Sequence, residues 1–390
     1  MELAFKWMFW LSLIGLVYTY LGYPVIISAL VWAKKKRLKI VLRGSPDHLP
    51  LVSLLIPAYN EEAVIRQKVA NSLELDYPRS HLEIVVASDG STDKTGAMLK
   101  AYSKLEIRSI IYRKRRGKSE VINRTVPKLL GDIVIVSDAS AMLDPDAIKK
   151  LLERLNDPEV GCVSGKYRVI NGDDSSRGRG EGLYFKYETF LKSKESDFNS
   201  ILGAHGSLYA IRKHLFQPLV TGIINDDYII PMQIVEQGYR SVYADDAIST
   251  EIAATTIAGE AMRRRRINIG NVQQLFVLRN LLNPLRGKIA FQFISHKLLR
   301  LLSPAFLLAL MISAVCIGGP FYSTIFVLQL LFHALGVANW WLEQRLIKVP
   351  LLTVPFYFTF GMWTIMTGMY AYLINERSNL WDQVDIYAAP

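Results

Sequence analysis

Short apolar runs alternate with amphipathic stretches through the middle of the chain, and long apolar runs occupy its two ends. In LVSLLIPAYNEE, LEIVVASDGSTD and DIVIVSDAS, a run of Val, Ile and Leu stops at an acidic turn. Such runs read as buried parallel strands, each feeding a loop at its carboxyl end. The pattern predicts strands at 52–57, 83–88, 107–112 and 132–137, alternating with helices at 61–75, 93–104, 118–130 and 144–156. That alternation implies βαβ units and a parallel-rich sheet. Asp144 is placed to cap the last of these helices, with Pro145 in its first turn. Further strands are expected from Val160, in SLYAIR and in RSVYAD, with a polar, Gly-rich loop at 171–182 and a helix at 183–198. A helix opens at Asp226-Asp227 and runs through Glu236, where Gly238 ends it. An Arg-rich helix over 258–282 is expected to lie at a membrane surface.

Residues 5–33 are apolar apart from Lys6, and Lys34, Lys35, Lys36 and Arg37 follow at once. A helix needs about 20 apolar residues to span a hydrocarbon core, so this stretch is long enough to cross. The run is too long, and the basic cluster on the wrong side, for a cleaved leader. The cluster places the N-terminus outside and the next domain in the cytoplasm. Three more candidate spans lie near 301–319, 321–342 and 350–374, so the C-terminus is expected outside. A mid-bilayer charge costs about 2.5–3.5 kcal/mol, so Glu343 and Arg345 belong in a loop. Pro355, Gly361 and Gly368 leave the last stretch open to a re-entrant or interfacial course. The expected organisation is a transmembrane helix and basic linker at 1–49, a cytoplasmic α/β domain at 50–257, interfacial helices at 258–300 and a transmembrane region at 301–390. The expected location is the plasma or inner membrane.

Hydrophobic residues make up 51% of the 390, and the net charge is +11. With spans already present, the positive charge fits an anionic leaflet better than a nucleic acid. Cys162 and Cys316 are the two cysteines, and they form no disulfide framework or CxxC site. Ligands of open α/β sheets bind beyond the carboxyl ends of the strands. That rule gathers Glu61, Glu62, Asp89, Asp93 and Asp138 at one crevice. Like charges repel, so a metal and a hydroxyl-rich ligand would give the cluster its reason. A dinucleotide-dependent oxidoreductase would carry G-x-G-x-x-G where this chain has PAYNEE.

PAYNEE (57–62), SDGSTD (88–93), RGKSEVIN (116–123), SDAS (137–140), NDDY (225–228) and RRRRI (263–267) occur in that order. The series resembles that of membrane-bound family 2 glycosyltransferases, the broad group of hyaluronan, chitin and cellulose synthases. It covers most of 50–285. The resemblance implies a Rossmann-like A-type glycosyltransferase domain with transmembrane helices at both ends. It implies an inverting, metal-dependent enzyme of hexosyl or N-acetylhexosaminyl type. The sugar would pass from a UDP-sugar to a polysaccharide or lipid-linked acceptor. By this resemblance Ala58, Tyr59 and Glu61 border the base and ribose, as does Asp89. Lys118, at a helix start, suits the diphosphate. Asp138 is the centre of a DxD-like motif and would hold Mg²⁺ or Mn²⁺. The motif's second acid is Ser140 here, which leaves the other metal ligand open. Asp227 takes the place of the catalytic base, and Asp226 replaces the commoner Glu. Arg263 and Arg266 share a helical face, in place of a Q-x-x-R-W element, and would clamp the diphosphate. The Trp of that element is absent, which weakens the case for processive growth. Gly203, Ala204 and His205 fall where relatives seat the acceptor. The rival expectation, a non-catalytic or transport subunit of an assembly system, predicts losses among Asp89, Asp138 and Asp227; all three are present.

Overall fold

Eight strands form one mixed sheet in the computed structural model, which describes residues 1–35, 49–102, 106–170, 176–252, 257–345, 347 and 349–374. The strands are β1 (Val52–Ala58), β2 (Leu82–Asp89), β3 (Ile107–Tyr112), β4 (Ile133–Val136), β5 (Met142–Leu143), β6 (Val160–Ile170), β7 (Tyr209–Arg212) and β8 (Arg240–Ile252). They lie in the order β3-β2-β1-β4-β7-β6-β8-β5. The first four are parallel, and β7 enters antiparallel between β4 and β6. The two-residue strand β5, unmarked by any apolar run, pairs antiparallel with β8.

Side-chain alternation explains the helices on both faces. Leu54, Ile56, Ile84 and Val86 face α3 (Ile65–Leu73), α4 (Thr95–Ala101) and α6 (Ala147–Leu155) through Ile65, Val69, Leu99 and Leu151. Leu55, Val85, Val134 and Val136 face the other side, packing with Val121 and Ile122 of α5 (Lys118–Thr125) and Ile229 and Met232 of α8 (Asp226–Glu236). Each fully buried aliphatic side chain contributes about 1.5–3 kcal/mol, so the two apolar layers hold the strand ends in register.

Helix starts differ from expectation. α3 begins at Ile65, because Asn60 has positive φ (53°) and its side chain is spent on Thr92. α6 begins at Ala147 with no side-chain cap, since the backbone at Asp144 is bonded to Ile248. The helix expected from 183 is longer: α7 (Ser176–Phe198) propagates through part of the predicted loop, whose residues 171–175 lie outside the described set.

Among the described residues, three helical stretches are long and apolar enough to cross a membrane: Glu2–Lys34, Lys288–Ile317 and Pro320–Gln344. The first is α1 (Glu2–Val17) and α2 (Tyr23–Lys35), joined by a π-helical turn at Tyr18–Gly22. Pro24 has no N–H for the ladder, and the carbonyl of Tyr20 accepts from the Tyr187 hydroxyl instead (3.4 Å). Lys34, the first residue of the basic cluster, caps α7 by donating to the carbonyls of Asp197 (2.6 Å) and Phe198 (3.1 Å). The remaining α-helices of the described residues are α9 (Ile257–Val277), α10 (Lys288–Gln292), α11 (Leu299–Ile317), α12 (Pro320–Glu343) and α13 (Thr353–Leu373). Glu343 belongs to no loop: it ends α12, buried, and accepts from Asn339 (3.1 Å). α13 is not among the three apolar stretches. Its threonines and small residues meet α9, where Asn268 donates to Thr364 (3.2 Å) and fills the space beside Gly368.

Candidate active site

The β1 and β2 loops are stitched together by their own polar residues. Asn60 N–H donates to Ser91 Oγ (3.1 Å), Glu61 N–H to Thr95 Oγ1 (2.8 Å) and Glu62 N–H to Asp93 Oδ2 (3.0 Å). Glu62 accepts in turn from the Lys94 amide (2.9 Å). Glu62 and Asp93 therefore serve loop geometry, and the expected crevice of five carboxylates is smaller than the strand ends suggest. Ala58 is buried at the end of β1, and the ring of Tyr59 lies 4.0 Å from the Arg115 guanidinium.

Asp89 is buried, and its carboxylate accepts from the amides of Arg116 (3.0 and 3.1 Å) and Gly117 (2.7 Å). Burial pushes it above the usual aspartate range, against those bonds. The family resemblance implies a place for Asp89 beside a base or ribose, and in the structure its carboxylate also clamps the loop leading to Lys118. The clamp needs Gly90, whose φ is 68° and whose Cβ would lie 2.7 Å from the Arg115 amide nitrogen.

Lys118 stands among carboxylates. Its ammonium is 2.7 Å from Asp138 Oδ1 and 3.5 Å from Asp226 Oδ2. Burial alone would lower it; Asp138, Asp226 and Asp227 outweigh burial and raise it. The acids answer in kind. Burial raises Asp226 to about 6 and raises Asp227 as well, with Lys118 opposing both. Asp226 also accepts from the Tyr209 hydroxyl at 3.5 Å. Asp227 points elsewhere. A Cβ on Gly206 would sit 3.0 Å from Asp227 Oδ2, 3.3 Å from Lys118 Nζ and 3.5 Å from Asp138 Oδ2. The three groups thus converge on a cradle that only glycine leaves open.

Ser140, in place of a second acid, donates to Glu251 Oε1, while Tyr167 donates to Glu251 Oε2 (2.7 Å). A carboxylate from the end of β8 is therefore delivered beside the DxD-like turn. Among the described residues, no three His, Cys, Asp or Glu side chains group to hold a metal by themselves. Below Asp138, Lys68 is fully buried and donates to Ser137 Oγ (2.7 Å) and to the Ala141 carbonyl, which fixes the turn. Burial lowers Lys68 to about 7, with Asp138 and Glu251 acting the other way.

On α9, Arg266 is electrostatically joined to Asp138, Asp226 and Asp227; burial and Arg263 lower it and the acids oppose them. Arg264 instead faces Tyr357 (5.9 Å) and Phe360 (5.5 Å) of α13. α9 is thus a strut between α13 and the site as well as a basic helix. From it Asn271 and the Ile267 carbonyl hold the Asn225 side chain (3.4 and 3.1 Å), one residue before Asp226. Gly270 lies against that amide, where a Cβ would come within 2.5–2.6 Å of its three terminal atoms. Small misplacements of a reacting group cost about 10²-fold. Gly270→Ala is expected to lower kcat by about 10- to 100-fold with the donor KM little changed, read from steady-state kinetics.

Gly203, Ala204 and His205 lie on the other side of Asp227. The Ala204 amide donates to the Asp227 carbonyl (2.8 Å) and the Gly203 carbonyl accepts from Lys192 (2.6 Å). The His205 ring lies 6.0 Å from that of Tyr167 and 6.3 Å from that of Tyr243. Burial and Lys192 hold it well below the usual range, so it is neutral. Sequence reading missed Glu251, Lys68 and Lys192. The β8 strand outruns its apolar core by several residues, which hides Glu251. The two lysines sit on helix faces where a solvated charge is the ordinary expectation.

A family model described as "Glycosyltransferase like family 2" matches residues 50–270. Probable glycosyltransferase YdaM of Bacillus subtilis (strain 168) is 31% identical over 221 residues, which is 54% of this chain and 52% of that protein. A beta-monoglucosyldiacylglycerol synthase of Nostoc sp. is 28% identical over 187 residues, 47% of this chain and 39% of that protein. The chain spans about half the length, or less, of these two relatives. Among solved structures, a mannosyltransferase from Pyrobaculum calidifontis, in complex with GDP-Man and Mn²⁺, superposes with a TM-score of 0.69 at 23% identity. The match covers 94% of this chain and 99% of that one, and it shows the same Rossmann-like A-type fold with helical segments at both ends.

Proposed function

Since the chain belongs to glycosyltransferase family 2, we propose that it transfers a sugar from a nucleotide-sugar, a UDP-sugar in our reading, to a hydroxyl of a membrane-associated glycan or glycolipid. The observation that carries this is the convergence of Asp227, Lys118 and Asp138 on the Gly206 cradle. The mechanism follows from the charges. Asp227 takes the proton of the acceptor hydroxyl as its oxygen bonds to the anomeric carbon. The bond from that carbon to the diphosphate oxygen breaks, and the diphosphate leaves with the electron pair. One in-line displacement inverts the anomeric centre. Arg266, Arg263 and Lys118 offset the charge on the leaving diphosphate. Ala58, Tyr59, Glu61 and Asp89 border the nucleoside in this reading.

The donor set fits a divalent cation that keeps waters and takes phosphate oxygens. Asp138 would hold it, with Glu251 replacing the acid missing at Ser140. Mg²⁺ or Mn²⁺ there would supply charge neutralisation at the diphosphate. The Mn²⁺ in the Pyrobaculum enzyme supports this choice. The diacylglycerol in the Nostoc enzyme's name supports a lipid acceptor. The three apolar helices support a multi-pass protein, and the basic residues Lys34 to Arg37 after the first run support a cytoplasmic catalytic domain.

Asp226 and Asp227 share one neighbourhood and titrate as a pair. Burial raises both, Asp226 to about 6. The base works only when ionised, so kcat is expected to rise with pH through an apparent value above that of an ordinary aspartate. A pH profile of kcat that is flat down to pH 4 would contradict this. Nucleotide choice is tested by equilibrium binding to the full chain in detergent: UDP is expected to bind more tightly than GDP, and the reverse order would overturn the UDP assignment.

A further inference from the structure

Two ammonium groups near Asp227 have no carboxylate within ion-pair distance among the described residues. Lys192 is 7% exposed and donates to a neutral acceptor, the Gly203 carbonyl, at 2.6 Å. Lys297 stands 5.2 Å from the ring centroid of Tyr228, and no ion pair joins it to any described residue. Tyr228 connects the two: its Cδ2 would lie 2.3 Å from a Cβ on Gly203, and its buried hydroxyl has no hydrogen-bond partner. Lys297 repels Lys192, and both lysines are attracted first by Glu188, then by Glu195 and Asp227.

Two carboxylates stand near the lysines without pairing with either, and both are held by other groups, though Glu195 Oε2 is buried with no hydrogen-bond partner. Glu195 Oε1 accepts from the Tyr23 hydroxyl (2.8 Å) and lies 2.6 Å from His296 Nδ1. Glu188 is bonded to Arg300, with His296 Nε2 at 3.8 Å. Lysine charge withdrawn from water without a partner costs several kcal/mol. A second ammonium beside it raises the cost. An anion at this position removes it.

The anion is not the donor's diphosphate, which Lys118 and Arg266 face across Asp227. It sits instead beside Gly203-Ala204, where the acceptor is expected. Lys297 belongs to the helical stretch Lys288–Ile317, long and apolar enough to cross a membrane. An anion bound there is therefore attached to a lipid.

We propose that Lys192 and Lys297 seat a phosphate carried by the acceptor, so that the acceptor is a phosphate-bearing lipid. The proposal rests on the glycosyltransferase reading, deepens its acceptor class, and predicts that a neutral glycolipid is a poor substitute.

Binding of phosphatidic acid and of diacylglycerol with the same acyl chains to the full chain, in detergent, tests it. Hydrogen bonds to charged groups contribute about 1.5–3 kcal/mol, so phosphatidic acid is expected to bind at least about tenfold more tightly. Lys192→Met and Lys297→Met, which keep the side-chain length, are each expected to remove that preference. Lys192→Arg is expected to keep it. UDP affinity is read in the same samples and stays unchanged in both Met variants. A chain that fails to bind UDP would count against the nucleotide reading, separately from the phosphate seat. Equal binding of the two lipids by the unaltered chain overturns the proposal, whatever the variants do. So does a preference that survives both Met substitutions. Glycerol 3-phosphate binding as tightly as phosphatidic acid would overturn the lipid origin of the phosphate.

Discussion

Asp227→Asn is expected to lower kcat by about 10²–10⁴-fold, the range for a positioned general base, while UDP affinity stays within about twofold of the unaltered chain. Asparagine keeps the shape and removes the proton acceptor. The backbone of Asp227 still accepts from the Ala204 amide, so the acceptor loop keeps its anchor. Donor binding survives because Asp89, Lys118 and Arg266 are untouched. Asp226→Asn should cost less, since Asp226 is buried against Lys118 and Tyr209 rather than aimed at the Gly206 cradle. If the two variants lost activity in the reverse order, the roles of the paired acids would be exchanged.

Lys118→Met is expected to carry the largest loss of stability, about 3–5 kcal/mol, the cost of leaving a buried charge without its partner. The side chains involved are 14% exposed for Lys118 and 4% for Asp226. Without the ammonium, Asp138, Asp226 and Asp227 face one another across the cradle. The loss should shrink in the double variant Lys118→Met/Asp226→Asn, because the removed charge is the one left stranded. Thermal unfolding in detergent across the four proteins of that cycle reads the coupling. Additive losses in the double variant would mean that Lys118 and Asp226 do not act as a pair.

β1, β2 and β4 are legible because each is a run of buried Val, Ile and Leu that ends in an acidic turn, whereas the two-residue β5 carries no such run. The helix starts were less so. Asn60 and Asp144 look like caps, yet one spends its side chain on Thr92 and the other its amide on Ile248. Tertiary partners took groups that local propensity assigns to a helix end. The motif series located Asp89, Lys118, Asp138 and Asp227 but not their relations. That Asp89 clamps the Lys118 loop, and that Lys118 is shared by Asp138 and Asp226, depends on how β2, β4 and α8 meet. The carboxylate beside Ser140 was out of reach for the same reason: Glu251 lies 111 residues away and arrives through the pairing of β5 with β8. Of the four apolar stretches, the last is open to a spanning, re-entrant or interfacial course, and in the structure its small and polar residues pack on α9.

The central claim is that the acids around Gly206 drive transfer from a nucleotide-sugar. Release of nucleoside diphosphate by the full chain in detergent tests it most directly, across UDP-sugars and GDP-mannose with Mn²⁺ or Mg²⁺, and with Asp227→Asn alongside. The account predicts turnover of at least one donor and its near-complete loss in the variant. No turnover of any donor, or a full rate in Asp227→Asn, would contradict it.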